Sequence, residues 1–229
     1  MLELRRLGKP PTLGTGGLII EGITGVGKTQ TLRALQRSPE LQRAFRSLDI
    51  FREKETFGNF MTELMENPDA PPAHKLRRLN RVIQTVQSRS QRHPSYGFIL
   101  ERAHYSYYAL LPDWSLYEET DALLASLNTL IVLLRLPVPE LKTRSLYRID
   151  RDPKWWARGF VDHYKSETNA LSTFEQIQER RYQGIQNSIL PHIVIDTSAM
   201  SWDRYAEMIV TAFLDNQRGP ISTNKPTIS

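Results

Sequence analysis

Cysteine is absent from this chain, which excludes a disulfide framework and any thiolate metal centre and suits a reducing compartment. No run of 18 apolar residues occurs. The longest, Thr129 to Leu134, is the size of a strand, so no membrane-spanning helix is expected. The N-terminus, Met1-Leu-Glu-Leu-Arg-Arg, has no apolar signal region, and a soluble cytoplasmic protein is the expectation. His74, His93, His104, His163 and His192 have no metal-ligand spacing, and no G-x-S-x-G nucleophile elbow appears. The guanine-reading pattern Asn-Lys-x-Asp is missing too, because Asn224-Lys225 is followed by Pro-Thr. Charge of one sign is only mildly in excess, at a formal net +5, and the basic residues form no single block. With no nucleic-acid motif, that argues against a nucleic-acid partner. A pocket for nucleotide phosphates explains the excess, and so does ordinary surface bias.

What the chain does contain is Gly22-Ile23-Thr24-Gly25-Val26-Gly27-Lys28-Thr29, which fits G-x-x-x-x-G-K-[ST], the phosphate-binding P-loop. Leu18-Ile19-Ile20 before it reads as a buried strand. Thr29 to Arg37 after it reads as a helix stopped by Ser38-Pro39. Strand, glycine loop and helix is the context in which such a loop works. The glycines let the backbone around Val26 wrap a phosphate chain with its N–H groups inward, and the helix N-terminus adds positive potential. Lys28 can reach the β- and γ-phosphates of ATP, and the Thr29 hydroxyl can ligate Mg²⁺.

The 229 residues, 40% of them hydrophobic, suit one α/β domain. Residues 1–16, basic and then Pro/Gly-rich, read as a lead-in. Residues 17–216 read as the domain, and 217–229 as a polar tail expected to be disordered. Strands are predicted at 18–21, 48–51, 97–100, 129–134 and 193–195. Helices are predicted at 29–37, 57–65, about 73–92, 115–127 and 202–215. Strands alternating with helices predict a five-stranded parallel sheet covered on both faces, with ligands at the carboxyl ends of the strands.

Four features lie where phosphoryl transfer would want them. Arg52-Glu53 follows the second strand: Glu53 could accept a proton from an acceptor hydroxyl and Arg52 could hold a phosphate, although a charged solvent loop reads the same. Glu101-Arg102 ends the third strand, where an acid reaches Mg²⁺ and an arginine clamps phosphate or pairs with a carboxylate. Arg77, Arg78 and Arg81 on the long helix cannot all point one way, so at most some of them face an acceptor. Lys142, Arg144, Arg148, Arg151 and Arg158, interleaved with Trp155, Trp156 and Phe160, read as a basic lid over about 141–160 that closes on phosphates; a basic hairpin with core aromatics is the competing reading.

In this order the motifs resemble the P-loop nucleoside and nucleotide kinases, that is, thymidylate and deoxynucleoside kinases, from about Gly17 to Leu214. Leu18 to Thr29 looks like their first strand and P-loop. Phe51-Arg52-Glu53 is similar to the Arg-Glu-Pro of thymidylate kinases, with Lys54 in place of proline. Glu101-Arg102-Ala-His-Tyr-Ser106 looks like the Glu-Arg-Ser element of deoxynucleoside kinases. Leu141-Lys-Thr-Arg144 resembles the lid, and Ile195-Asp196-Thr197-Ser198 the late strand and loop beside adenine. The resemblance implies Mg²⁺-dependent transfer of the ATP γ-phosphate to a nucleoside or nucleoside monophosphate. It gives Glu53 the general-base part, and the reading as a whole gives Arg102, Glu101, Arg52 and one arginine of the Arg77, Arg78 and Arg81 group the acceptor, and Arg144, Arg148 or Arg151 the transferring phosphate. A homodimer through exposed helix faces is in keeping with such relatives. A kinase of another hydroxylated metabolite, or an ATP-driven switch that transfers nothing, would carry the same loop.

Overall fold

The computed structural model describes residues 13–147 and 161–217, apart from positions 59, 61, 62, 64, 65, 68 and 162. Most of the expected lead-in and tail lies outside these residues, as do Arg148, Arg151, Arg158, Trp155, Trp156 and Phe160 of the expected lid.

The strands are β1 (Gly16–Glu21), β2 (Ser47–Phe51), β3 (Tyr96–Glu101), β4 (Thr129–Arg135) and β5 (His192–Asp196). They form one sheet in the order β2-β3-β1-β4-β5, and every pairing is parallel. β1 starts two residues earlier than its apolar run predicts. A side chain on Gly17 would meet the Phe98 ring at 2.1 Å, so the glycine is what lets the strand lie against β3 there.

Consecutive residues of the central strands feed opposite cores, because side chains alternate across a sheet. Leu18 and Ile20 of β1, with Leu130, Val132 and Leu134 of β4, pack under three helices. These are α1 (Lys28–Arg37), α2 (Pro39–Ala44) and the C-terminal α8 (Trp202–Gln217), through Leu32, Leu35, Leu41, Ile209 and Phe213. Ile19, Ile131 and Leu133 face the other way, onto α4 (Arg77–Arg92), α5 (His104–Tyr108) and α6 (Glu118–Ser126). That is why these strands are apolar throughout rather than alternating. At about 1.5–3 kcal/mol per fully buried aliphatic side chain, the two layers supply the main favourable term of folding.

Several local expectations need correcting. Helix is not delayed to Phe57 after β2: α3 (Glu53–Thr56) begins at once, with the Glu55 carboxylate accepting the Arg52 N–H at 2.9 Å. Ser38-Pro39 ends α1 but also starts α2, where the Ser38 hydroxyl accepts from Leu41 N–H. The long helix is preceded by a separate turn, Pro72–Lys75, with Leu76 off helical geometry between them. The helix α7 (Glu167–Asn187), 21 residues long, has no counterpart in the sequence reading. After β4 the chain forms a turn, Val138–Glu140, and then a π-helical stretch, Leu141–Leu146.

Candidate active site at the carboxyl ends of the strands

β1 lies between β3 and β4, so the chain leaves it toward one side of the sheet and later fills the other. The loop after β1 therefore opens at the switch point of the sheet, where ligands of α/β folds bind. That loop is the glycine-rich stretch. Gly25 and Gly27 have φ of 84° and 98°, and a side chain on Gly25 would meet the Arg144 carbonyl at 1.9 Å. One on Gly27 would meet the Trp202 ring. Helix α1 starts at Lys28 with no acidic residue in its first turn, leaving its amide donors and dipole to an anion. Thr29 is exposed at the second helical position.

Lys28 is 6% exposed and folds back onto the loop, its Nζ donating to the Gly22 and Ile23 carbonyls at 3.1 Å each. Burial, assisted by the nearby Arg102 charge, lowers its pKa to about 7 against the pull of Glu53. Glu53 Oε2 stands 4.0 Å from Lys28 Nζ and 3.0 Å from Arg102 Nε. Partial burial pushes the Glu53 carboxyl up, but Arg102 and Lys28 outweigh it and hold the pKa below the ordinary value. Arg102 has a left-handed backbone, φ 65°, fixed by its N–H donating to the Ile20 carbonyl, and its guanidinium lies 5.2 Å over the Phe57 ring. A strained non-glycine residue of this kind costs on the order of 1–3 kcal/mol and persists only where its surroundings over-determine it.

Glu101 is buried at the tip of β3. Its Oε2 accepts from Glu53 N–H at 3.4 Å and lies 3.8 Å from Arg52 Nη1. Arg52 also donates to Gln36 on α1. Thus Lys28, Arg52, Glu53, Glu101 and Arg102, chosen from separate stretches of sequence, meet across three strand ends.

Beneath them is a layer that motif reading missed. Glu21, the last residue of β1, is fully buried; its two oxygens accept from Ala103 N–H and the Ser106 hydroxyl, both at 2.7 Å. Arg181 of α7 places its Nε 3.6 Å from Glu21 and 3.2 Å from Ser106 Oγ. Only the acid before the first loop glycine hinted at this layer, and Arg181 carried no spacing signal at all.

Other expected site residues fall elsewhere. Arg77 and Arg81 are exposed on α4 with no side-chain partner among the described residues; the inner arginine of that group is Arg78, bonded to Glu63 at 3.0 Å. Arg144 does not reach over the loop with a free guanidinium. It is 9% exposed, donates to Glu140 and to the Thr197 carbonyl at 3.0 and 2.7 Å, and lies 5.9 Å over Trp202. Among residues to which the sequence reading gave no part, Tyr105 and Tyr107, just after Arg102 in the chain, belong to the core, their hydroxyls donating to Asp121 and to the Thr56 carbonyl. Among the described residues no group of three or more His, Cys, Asp or Glu could hold a metal, and no helix is long and apolar enough to cross a membrane.

No protein-family model matches this chain, and no curated protein matches it in sequence. Solved structures do match it. The Bacillus subtilis YorR protein, solved with phosphorylated GDP, is 14% identical with a TM-score of 0.53 over 90% of this chain and 99% of that one. Acinetobacter baumannii shikimate kinase, solved with shikimate, is also 14% identical, at 0.46 over 90% and 96%. The Deinococcus radiodurans tunicamycin resistance protein is 17% identical, at 0.48 over 86% and 95%. At these identities the likeness is one of fold, and with the five parallel strands and the glycine loop it gives the chain an α/β P-loop NTPase fold.

Proposed function

We propose that this chain is an ATP- and Mg²⁺-dependent phosphotransferase whose acceptor is a nucleoside or nucleoside monophosphate. The carrying observation is the convergence of Lys28, Arg102 and Glu53, at 4.0 and 3.0 Å from one carboxylate oxygen, beside the N-terminus of α1. Gly22, Gly25, Val26, Gly27, Lys28 and Thr29 hold the triphosphate. An acceptor oxygen forms a bond to Pγ, the bond from Pγ to the bridging oxygen breaks, and ADP leaves. A hydroxyl acceptor also gives up its proton to Glu53, whereas a phosphate oxygen has none to give at neutral pH. Thr29 and Glu101 supply the hard oxygen donors that Mg²⁺ takes alongside phosphates and water, and the ion would offset charge on the β- and γ-oxygens. Arg144 is already bonded to Glu140 and Thr197, so the reading gives Arg148 or Arg151 of the 141–160 lid the task of meeting the transferring group. Residues 17–216 act in this reading as one domain.

The test is ADP release from Mg–ATP across a panel of nucleosides and nucleoside monophosphates. Lys28→Ala should lower stimulated turnover by about 10²-fold or more while leaving the thermal midpoint level or raised, since the native lysine is buried at a disadvantage. A folded Lys28→Ala protein with full turnover would sink the assignment. Slow release that no compound stimulates would favour a switch that transfers nothing.

A further inference from the structure

Arg102 is held in a backbone conformation that an arginine does not keep by itself. Its φ of 65° needs surroundings that over-determine it, and the Ile20 carbonyl fixes only its own N–H. The rest of the hold comes from Glu21. Ile20 pairs with Glu101 in the register of β1 and β3, so the next residue of β1 lies beside the turn that Arg102 makes. There the Glu21 carboxylate accepts the Ala103 N–H and the Ser106 hydroxyl, at 2.7 Å each. Ala103, the residue before α5, is extended and has no side-chain oxygen of its own to close that turn. A carboxylate accepting both bonds fastens the peptide that follows Arg102 to the start of α5.

Glu21 is fully buried and takes no part in the phosphoryl transfer described above. A buried carboxylate is costly unless paired, and its partner is Arg181 of α7, also buried and 3.6 Å away. Ser106 Oγ in turn accepts from Arg181 Nε at 3.2 Å and from Arg102 Nη1 at 3.5 Å, so the Arg102 guanidinium is tied to the same clamp as its backbone. We infer that Glu21, charge-balanced by Arg181, is a positioning residue: it locks Arg102 in its left-handed conformation and so aims the guanidinium at Glu53, 3.0 Å away. Relaxed to an ordinary negative φ, Arg102 would turn its side chain off that carboxylate. The consequence for turnover rests on the phosphotransfer reading above, whereas the clamp itself does not.

The experiment compares wild type with Glu21→Gln and with Glu21→Met/Arg181→Met, a charge-balanced and volume-matched second variant that keeps the test open if the first fails to fold. Amide hydrogen exchange is read by NMR on the free protein. Exchange at Arg102 and Ala103 should quicken at least tenfold relative to Ile99 and Leu100 of β3. A role in general stability would instead quicken all four alike. With an acceptor that stimulates ADP release, Glu21→Gln should lower kcat/KM at least tenfold. Added to Arg102→Gly it should cost less than twofold, because glycine adopts the left-handed turn freely and has no guanidinium to aim. Wild-type exchange at Arg102 and Ala103 in a folded variant overturns the inference. So does a loss of turnover that is as large in the Arg102→Gly background as in the wild type. If exchange responds as stated and no acceptor stimulates ADP release by the wild type, the phosphotransfer reading fails and the clamp stands.

Discussion

Lys28 is charged in solution but buried beside the Arg102 charge in the folded loop, so its proton is loosely bound, with a pKa near 7. A triphosphate arriving at the loop supplies the counter-charge it lacks and raises that pKa again. Mg–ATP binding should therefore take up close to one proton at pH 8 and almost none at pH 6, measured by calorimetry in buffers of differing ionisation enthalpy. Lys28→Met should abolish the uptake. Glu53 poses a different question, because it touches Arg102 and Lys28 together. Glu53→Gln should lower kcat/KM at least tenfold, through the acceptor KM. A fall of 10²–10⁴-fold in kcat at unchanged KM would instead make Glu53 the proton acceptor and a hydroxyl the nucleophile. These residues were legible because each ends a strand or sits in the loop motif. Glu21, Ser106 and Arg181 were not, since a buried ion pair drawn from β1 and α7 leaves no spacing in the sequence.

At the scale of the element, α7 explains both what the sequence hid and what the site needs. Its buried residues are Ala170, Phe174, Gln178, Arg181, Gly184 and Ile185, a helical stripe in which two of the six positions are polar. A search for apolar period finds nothing there, because polarity at the buried positions is what the helix contributes. Gln178 accepts the Leu136 N–H and donates to the Leu136 carbonyl, at 2.9 Å in each case. It thereby ties α7 to the exit of β4, where the chain turns toward the π-helical stretch against Gly25. Gln178→Leu keeps the volume and removes both bonds, leaving a buried donor and acceptor unpaired. Urea unfolding should show a loss of roughly 2–4 kcal/mol. A loss below the error of the measurement would mean that water or a shifted backbone takes over those bonds. By contrast β4 and the flanks of the glycine loop were legible to within two residues, since an apolar run between turn residues reads the same in sequence and in structure.

For the whole molecule, the parallel sheet with two covered faces followed from apolar strands alternating with helices. The order β2-β3-β1-β4-β5 did not, because pairing between distant strands is fixed by packing and chain crossover rather than by any local pattern. That order gathers the buried charges at one end of the sheet, and the pH dependence of global stability should report them. Lys28 and Arg181 both have folded-state pKa values below their unfolded ones, about 7 against 10.5 for the lysine and down to about 9 for the arginine. Over those windows the unfolded chain binds more protons than the folded one, so stability rises with pH, beginning near 7. Glu53 contributes in the opposite range: its lowered pKa adds stability above the ordinary value of 4.5, which is lost in acid. The urea midpoint should therefore be higher at pH 9 than at pH 6.5, below the range in which buried tyrosines such as Tyr96 and Tyr107 begin to reverse the trend. Lys28→Met should raise the midpoint at pH 6.5 and flatten the rise. Saturating Mg–ADP should flatten it as well, by restoring a counter-charge to the lysine. A wild-type midpoint that does not change between the two values would mean that Lys28 keeps its proton in the empty loop, and the proton uptake predicted for nucleotide binding would fall with it.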